Sequence, residues 1–336
     1  MLVTSRTPLR VSLFGGGTDY PDWYQRRRGA VLGFTIDKYI HISVLPLQSF
    51  LEYRYRVSYS RVELVRRAED IEHPVVRAVL QREGYNQPLD CSIQADLPAN
   101  TGLGSSSAFT VGFINLISTL QGRPRTKLEL ARLAIEVERN DLQERVGIQD
   151  QLHATYGGLN HFEFQGDSIT ICTPHIRGGT LERLSDWMLL VYTGMTRFAS
   201  QLLEEQLDNT VGRMVDTELE AMVQLVDEAH RLFESGAEDD ELARELARLL
   251  VESWDLKKRL SSRVTNDEID ALYRLCIGAG ALAGKLCGAG GGGFLLVLVP
   301  PDRREAFIDS IGPERCVPFR IEHSGSMVTQ VPAYRG

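Results

Sequence analysis

No run of this 336-residue chain approaches 18 consecutive apolar residues, which excludes a membrane-spanning helix on sequence grounds. Met1 leads into Thr4-Ser5-Arg6-Thr7-Pro8 without an apolar leader, and a cytoplasmic protein is expected. Cysteine is scarce: Cys91, Cys172, Cys276, Cys287 and Cys316 are odd in number, widely spread and never in C-x-x-C. That pattern argues against a disulfide framework or a zinc site and predicts free, mostly buried thiols in a reducing compartment. Positive charge is in deficit, with 37 Lys and Arg against 45 Asp and Glu and a formal net charge of -8. A general attraction to nucleic acid or to an anionic membrane is therefore not expected. An anionic ligand must be held by local backbone N–H groups and a few placed cations. The P-loop pattern G-x-x-x-x-G-K-[ST] is missing, as are internal repeats and low-complexity linkers.

What is present is glycine and serine in three places. Leu97-Pro98-Ala99-Asn100-Thr101-Gly102-Leu103-Gly104-Ser105-Ser106-Ser107-Ala108 leads into an apolar pattern of helical period, Ala108 to Leu120. Cys91 to Ala95 before it reads as a strand, so the unit is strand, loop, helix. Unpaired N–H groups and hydroxyls at the positive end of a helix suit a phosphate; the competing reading is a flexible turn. Strands are predicted at Val11–Phe14, Ala30–Ile36, Ile40–Leu45, Tyr53–Ser58, Trp187–Tyr192, Phe294–Val299 and near Val317–Glu322, with a strand pair within Tyr156–Thr173 joined at Gln165-Gly166-Asp167. Helices are predicted at His73–Glu83, Lys127–Asp141, across Arg197–Ser261 with a break near Gly236, at Asp267–Ala279 and near Asp302–Ile311. Strands and helices mix without strict alternation, which favours an α+β fold over a doubly wound sheet. A dinucleotide-binding reading fails on context, because Gly288–Gly293 precedes a strand and the middle motif lacks G-x-G-x-x-G.

Pro8-Leu9-Arg10-Val11 with Gly15-Gly16-Gly17-Thr18-Asp19-Tyr20, then Gly102-Leu103-Gly104-Ser105-Ser106-Ser107-Ala108, then Lys285-Leu286-Cys287-Gly288-Ala289-Gly290-Gly291-Gly292-Gly293, stand in fixed order along the chain. In that order they resemble the three signature motifs of the GHMP small-molecule kinases. The resemblance covers essentially the whole chain. It implies a two-lobed α+β fold, with an N-terminal lobe like domain 2 of ribosomal protein S5 over residues 1–175 and a ferredoxin-like C-terminal lobe over 176–336. It implies ATP and Mg²⁺ as well, with ATP phosphates on Gly102, Leu103, Gly104, Ser105, Ser106 and Ser107.

Gly147-Ile148-Gln149-Asp150-Gln151 resembles the family segment that carries its catalytic aspartate. A hydroxyl attacking a γ-phosphoryl group needs such a proton acceptor; the alternative for Asp150 is a carboxylate capping a turn. Glu138, twelve residues earlier, resembles the magnesium-ligating glutamate, with Ser106 as the hydroxyl ligand. Glu136 and Glu144 stay open as ligands in its place, and a solvated helix carboxylate is the alternative role for Glu138. Arg10 matches the basic residue of the first motif, where a cation favours the charged form of Asp150; the alternative is an ordinary strand arginine. Asp19, with Gly17 and Thr18, matches the sugar-contacting part of that motif, and its alternative is a turn residue. Gly290 and Gly291 would let the backbone approach a substrate closely. Lys285 is expected to be a solvent-exposed cation at a helix end, without a catalytic role.

Within the family, Ser5-Arg6-Thr7-Pro8-Leu9-Arg10 and Phe14-Gly15-Gly16-Gly17-Thr18-Asp19 look like the branch of heptose 7-phosphate 1-kinases and fucokinase-like proteins. Thr35-Ile36-Asp37-Lys38-Tyr39, Tyr59-Ser60-Arg61-Val62-Glu63 and Tyr192-Thr193-Gly194-Met195-Thr196-Arg197 echo the heptose type. The galactokinase sequence G-E-H-T-D-Y is replaced here by Gly15-Gly16-Gly17-Thr18-Asp19-Tyr20. The implied reaction moves the ATP γ-phosphate to the anomeric hydroxyl of heptose 7-phosphate. A distal phosphate needs a basic docking group, for which Arg197 is the first candidate, followed by Lys38 and Arg28. Arg26-Arg27-Arg28 otherwise reads as a solvated face. The alternatives are a 1-kinase of a free sugar such as fucose or mannose, and a non-catalytic sugar- or nucleotide-binding regulator. A monomer or homodimer is expected.

Overall fold

The computed structural model describes residues 1–48, 50–195 and 199–331. The first seven strands, β1 (Leu2–Phe14), β2 (Gly29–Pro46), β3 (Tyr55–Ser58), β4 (Val62–Val65), β5 (Leu89–Ala95), β6 (Leu159–Gln165) and β7 (Ser168–Cys172), belong to one sheet. A second, four-stranded sheet runs in the order β11 (Cys316–Val317), β8 (Met188–Tyr192), β10 (Phe294–Leu298), β9 (Ala283–Leu286), all antiparallel. The chain then returns: β12 (Met327–Val331) pairs antiparallel with β1 and completes the first sheet at eight strands.

The helices in chain order are α1 (Pro21–Tyr24), α2 (Pro74–Arg82), α3 (Ser105–Leu120), α4 (Lys127–Glu136), α5 (Gln149–Tyr156), α6 (Thr180–Trp187), α7 (Ala199–Val211), α8 (Asp216–Glu234), α9 (Asp239–Leu260), α10 (Asp267–Gly278) and α11 (Arg304–Ile311). Their starts follow from local chemistry. Thr126 and Glu129 form a reciprocal capping box on α4, Pro74 occupies the first turn of α2, and the Asn266 side chain accepts from Glu268 and Ile269 to start α10. No described helix is long and apolar enough to cross a membrane.

The two strands expected at 30–36 and 40–45 are one strand, β2. Its first half pairs with β6 and its second half with β5, so it serves two neighbours in succession. The interruption at Asp37-Lys38 is absorbed by a register shift against β1 between Pro8 and Leu9, where proline has no N–H to give the ladder. Helix α3 lies on β1 and β2, with α4 and α5 against it. Phe113 and Phe162 are buried in this layer, with Phe162 against the His153 ring of α5, while Leu9, Val11 and Phe34 are buried on the opposite face of the sheet, where Phe34 stacks on Phe319. On the other side, α8 reaches β1 and β2 while α9 lies along β9, so long C-terminal helices seat both sheets. The consequence is that the end of β1, the start of α3 and the end of β9 meet in one place.

Candidate active site

A cavity of about 510 Å³ opens at that meeting point. Its lining includes Arg10 and Ser12 of β1, Gly16, Gly17 and Asp19 of the following turn, and Gly102 with Gly104 to Ser107 at the start of α3. Glu138, Gln149 and Asp150 contribute from the middle of the chain, and Lys257, Lys285, Gly288 and Ala289 from its C-terminal third.

The α3 wall is built for an anion. Gly104 is left-handed (φ 72°), and no side chain caps the helix. The first backbone bond into the helix is Ala108 N–H to Gly104 O at 2.9 Å, which leaves the N–H groups of Ser105, Ser106 and Ser107 at the open end. Leu103 is the exception in this segment: its side chain is fully buried, and its carbonyl accepts from Arg10 N at 3.0 Å. Gly102 and Gly288 hold the two glycine motifs together. A Cβ on Gly102 would lie 2.4 Å from Cys287 O, and one on Gly288 would lie 2.3 Å from Gly102 Cα.

Asp150 is the second residue of α5, in the first turn, where a carboxylate is favoured by the helix dipole. The Arg10 guanidinium donates Nε to Oδ1 and Nη2 to Oδ2, both at 2.8 Å, and spends Nη1 on Gly102 O at 2.5 Å. One cation thus ties the carboxylate to the glycine-serine loop. Asp19 is buried beside it, and its carboxylate accepts from Gly17 N–H at 3.0 Å and Gln149 N–H at 3.3 Å. Burial raises the Asp19 pKa, and the neighbouring Asp150 charge adds to that.

Glu138 sits in a π-helical turn, Val137–Asp141, that carries its carboxylate inward at 1% exposure. Oε2 accepts from Ser107 Oγ–H at 3.0 Å and from the Gln151 side-chain amide, while Oε1 is buried without a hydrogen-bond partner among the described residues. Burial pushes the Glu138 pKa up to about 7, against the lowering effect of the Thr110, Gln151 and Ser107 side chains. An orphaned carboxylate oxygen beside serine hydroxyls is a hard-oxygen donor set that a divalent cation fits. Ser107 is the serine in contact with Glu138, and Ser106 lines the same cavity. Glu144 also lines it, whereas Glu136 is turned outward in an ion pair with Arg82 at 3.2 Å.

Other expected positions fall elsewhere. Thr18 is fully buried, with its hydroxyl donating to Gly15 O and Ala30 O. Lys38 is paired to Asp37 on β2 at 3.0 Å and is not part of the cavity lining. Gly290 and Gly291 back onto Val264 and do not line the cavity. Arg28 is bound to Glu163 and Asp227, tying the sheet to α8, while Arg26 and Arg27 pair with Asp216. Arg197 lies outside the described residues.

Lys285 corrects the sequence reading. It is not a helix-end cation in solvent: it belongs to β9, pairs with Leu296 of β10, and is 3% exposed. The reason is that the chain turns at Gly280 and re-enters the sheet interior before the glycine run. Lys257, missed from the sequence, lines the same cavity from α9. The available signal was its register, three residues after buried Trp254 and three before buried Leu260, on the apolar stripe of that helix.

Sequence and fold comparisons show what the chain is similar to. Residues 63–158 match the N-terminal domain of GHMP kinases, and residues 235–317 match the C-terminal domain. The chain is 32% identical over 329 residues to D-glycero-alpha-D-manno-heptose 7-phosphate kinase of Campylobacter jejuni, covering 93% of this chain and 94% of that one. Mevalonate kinase of Pyrococcus horikoshii is 28% identical over 232 residues, covering 68% of this chain and 65% of that one. Among solved structures, a D-glycero-D-manno-heptose 1-phosphate kinase from Bacteroides thetaiotaomicron superimposes with a TM-score of 0.78 at 23% identity, covering 98% of this chain and all (100%) of that one. Lactococcus lactis galactokinase complexed with galactose gives 0.71 at 18% identity, covering 98% and 95%. The chain belongs to the GHMP kinase family, whose members use ATP as phosphate donor, and is a phosphotransferase with a hydroxyl acceptor.

Proposed function

We propose that the chain is a sugar-phosphate kinase that moves the γ-phosphate of ATP to the anomeric hydroxyl of D-glycero-D-manno-heptose 7-phosphate, giving the 1,7-bisphosphate. The observation that carries the chemistry is the Asp150 carboxylate, gripped by Arg10 between the open end of α3 and the Gly16–Asp19 turn. The choice of sugar rests on the likeness to the Campylobacter kinase across nearly the whole chain.

In this reading the nucleotide phosphates lie on Gly102 to Ser107 and the sugar lies against Gly17 and Asp19. Asp150 accepts the hydroxyl proton as the new O–P bond forms and the bond from γ-phosphorus to the bridging oxygen breaks, releasing ADP. Arg10 orients that carboxylate and offsets charge on the phosphoryl group. Mg²⁺ would be held by Glu138 with Ser106 or Ser107, and when bound it neutralises phosphate charge. We divide the lobes near residue 175, a boundary supported by seven strands of the large sheet preceding it and all four of the small sheet following it. We place the protein in the cytoplasm, where its five free cysteines stay reduced.

A second reading, a 1-kinase of an unphosphorylated sugar, draws on 25% identity over 317 residues to a bifunctional fucokinase/GDP-fucose pyrophosphorylase of Arabidopsis thaliana. ADP release from MgATP separates the two, measured with heptose 7-phosphate, free heptose, mannose, fucose and galactose. Turnover with the phosphorylated heptose alone supports the first reading. Preference for a free sugar keeps the chemistry and replaces the substrate.

A further inference from the structure

Two buried amines line the catalytic cavity with no carboxylate partner among the described residues. Lys257 is 7% exposed and Lys285 is 3% exposed. Lys257 Nζ donates to Leu286 O at 2.9 Å and to Gly288 O at 2.5 Å; Lys285 Nζ donates to Leu13 O at 2.6 Å. An ammonium carries three donors, so these bonds leave one donor on Lys257 and two on Lys285 for an occupant of the cavity. Burying two such charges without a counter-ion is unfavourable. The strain shows in their titration: burial pulls Lys257 down to about 8, and burial together with the Lys257 charge pulls Lys285 down to about 7. Arg10 lowers both further, so three cationic groups converge on a region where Asp150 is already committed to Arg10. A site of this kind is completed by an anion.

The contacts also fix where that anion sits. The Lys257 acceptor, Gly288, packs directly on Gly102, and Gly102 O is the acceptor of Arg10 Nη1. The Lys285 acceptor, Leu13 O, is three residues beyond Arg10 on β1. Both amines are therefore anchored beside the Arg10–Asp150 pair and the glycine-serine loop.

We propose that Lys257 and Lys285 form a cationic clamp for the phosphoryl group in transfer, acting with Arg10 from the opposite lobe. This rests on the kinase reading above and assigns catalytic roles to both residues. Charge spread over the equatorial oxygens of the transferring group is stabilised by preorganised donors in a site shielded from water. A phosphate dianion could also come from the distal end of the sugar, and the test separates the two sources.

Lys257→Met and Lys285→Met keep the aliphatic stem and remove the charge. The expected result for each is a fall in kcat of roughly 10²–10³-fold with the KM for the phosphosugar changed by less than about threefold. ADP with fluoroaluminate and sugar, a mimic of the transferring phosphoryl, should bind at least about 10-fold more weakly, while ADP alone binds as in the parent. Lys285→Arg and Lys257→Arg should restore part of kcat. Unchanged kcat overturns the clamp, and so does a loss confined to the KM of the phosphosugar with free-sugar turnover intact, which would place the amines on the distal phosphate. If the parent protein turns over none of the sugars, inorganic tripolyphosphate titrated calorimetrically still decides the matter. The clamp requires binding by the parent and at least about 10-fold weaker binding by the double Met variant; equal binding overturns it. Where a Met variant does not fold, Lys→Gln at the same position takes its place.

Discussion

The Arg10 guanidinium and the Asp150 carboxylate are joined by two parallel hydrogen bonds, Nε to Oδ1 and Nη2 to Oδ2, each 2.8 Å long. A fork-to-fork pair of this kind fixes both planes, so the carboxylate has one orientation toward the cavity. Arg10 is a positioning group as much as a charge. Asp150→Asn keeps the shape and removes the proposed proton acceptor, and kcat should fall roughly 10²–10⁴-fold with ADP binding retained. Arg10→Lys keeps the charge and loses the fork; it should cost kcat more than KM for ATP. Steady-state kinetics with ADP calorimetry reads both, and near-normal turnover by Asp150→Asn would remove that residue from the chemistry.

Gly102 and Gly288 bring the glycine-serine loop and the third glycine motif into backbone contact. Gly102→Ala combines a left-handed backbone (φ +79°) with a Cβ 2.4 Å from Cys287 O, an atom that cannot swing aside. The expected loss is about 1–3 kcal/mol in stability, together with reduced kcat. Gly84→Ala is the control, because its φ is +59° and nothing lies within 4 Å of the added Cβ. Urea midpoints for the two variants separate backbone strain from the contact. Equal losses would mean that the seam between motifs contributes nothing of its own.

The parts of the site that were legible in the sequence are those whose chemistry is local. Gly104 breaks the chain into left-handed conformation before a long apolar helix, and that is a sequence signal wherever the helix ends up. That Asp150 and Glu138 line one cavity with the glycine-serine loop was foreshadowed by their short, ordered motifs. Lys285 was not, because its place depends on β9 pairing with β10, a contact between segments separated by the glycine run. Lys257 was concealed by its own helix, since a lysine in a charge-rich segment reads as surface until its register against Trp254 and Leu260 is counted. The merging of two expected strands into β2 has the same origin: Asp37-Lys38 looks like a turn locally, and only pairing to β1 on one side and to β6 and then β5 on the other keeps it extended. Helix α5 escaped notice because Gln149–Tyr156 has little amphipathic pattern and is buried on most sides, with Gln151 and His153 fully inside.

Glu138 presents one carboxylate oxygen to Ser107 and Gln151 and leaves the other buried without a partner. Glu138→Gln preserves the shape and removes a charge that burial disfavours, so the variant should melt at the parent temperature or above it without ligands. In the parent, Mg²⁺ added with ADP should raise the melting temperature further than ADP alone; in Glu138→Gln that increment should shrink or vanish. An undiminished Mg²⁺ increment would show that Glu138 does not hold the ion.

Two buried imidazoles make part of the fold's stability sensitive to acid. Burial lowers the pKa of His153 and of His161 to about 4 each, from an ordinary value of 6.5. Around His161, the Glu163 and Asp227 carboxylates pull the other way, while His230 and Arg28 add to the lowering; around His153, Asp150 raises and Arg10 lowers. Both rings are therefore neutral in the folded chain where the unfolded chain begins to bind protons. The stability that these two rings contribute is complete above about pH 6.5 and falls as pH drops toward 4, by up to about 1.4 kcal/mol per ring per pH unit; Glu138, raised to about 7, titrates in the opposite sense across the same window, so the rings are read by difference between parent and variant. His161→Asn removes one titrating ring and also its Nδ1 contact with His230 at 3.1 Å, so the variant is less stable at pH 7.5. Its stability should nevertheless fall less steeply with acid, by the equivalent of about one proton. Urea unfolding of both proteins from pH 7.5 to 4.5 gives the two slopes, and equal slopes would show that His161 is protonated as readily in the folded chain as in the unfolded one.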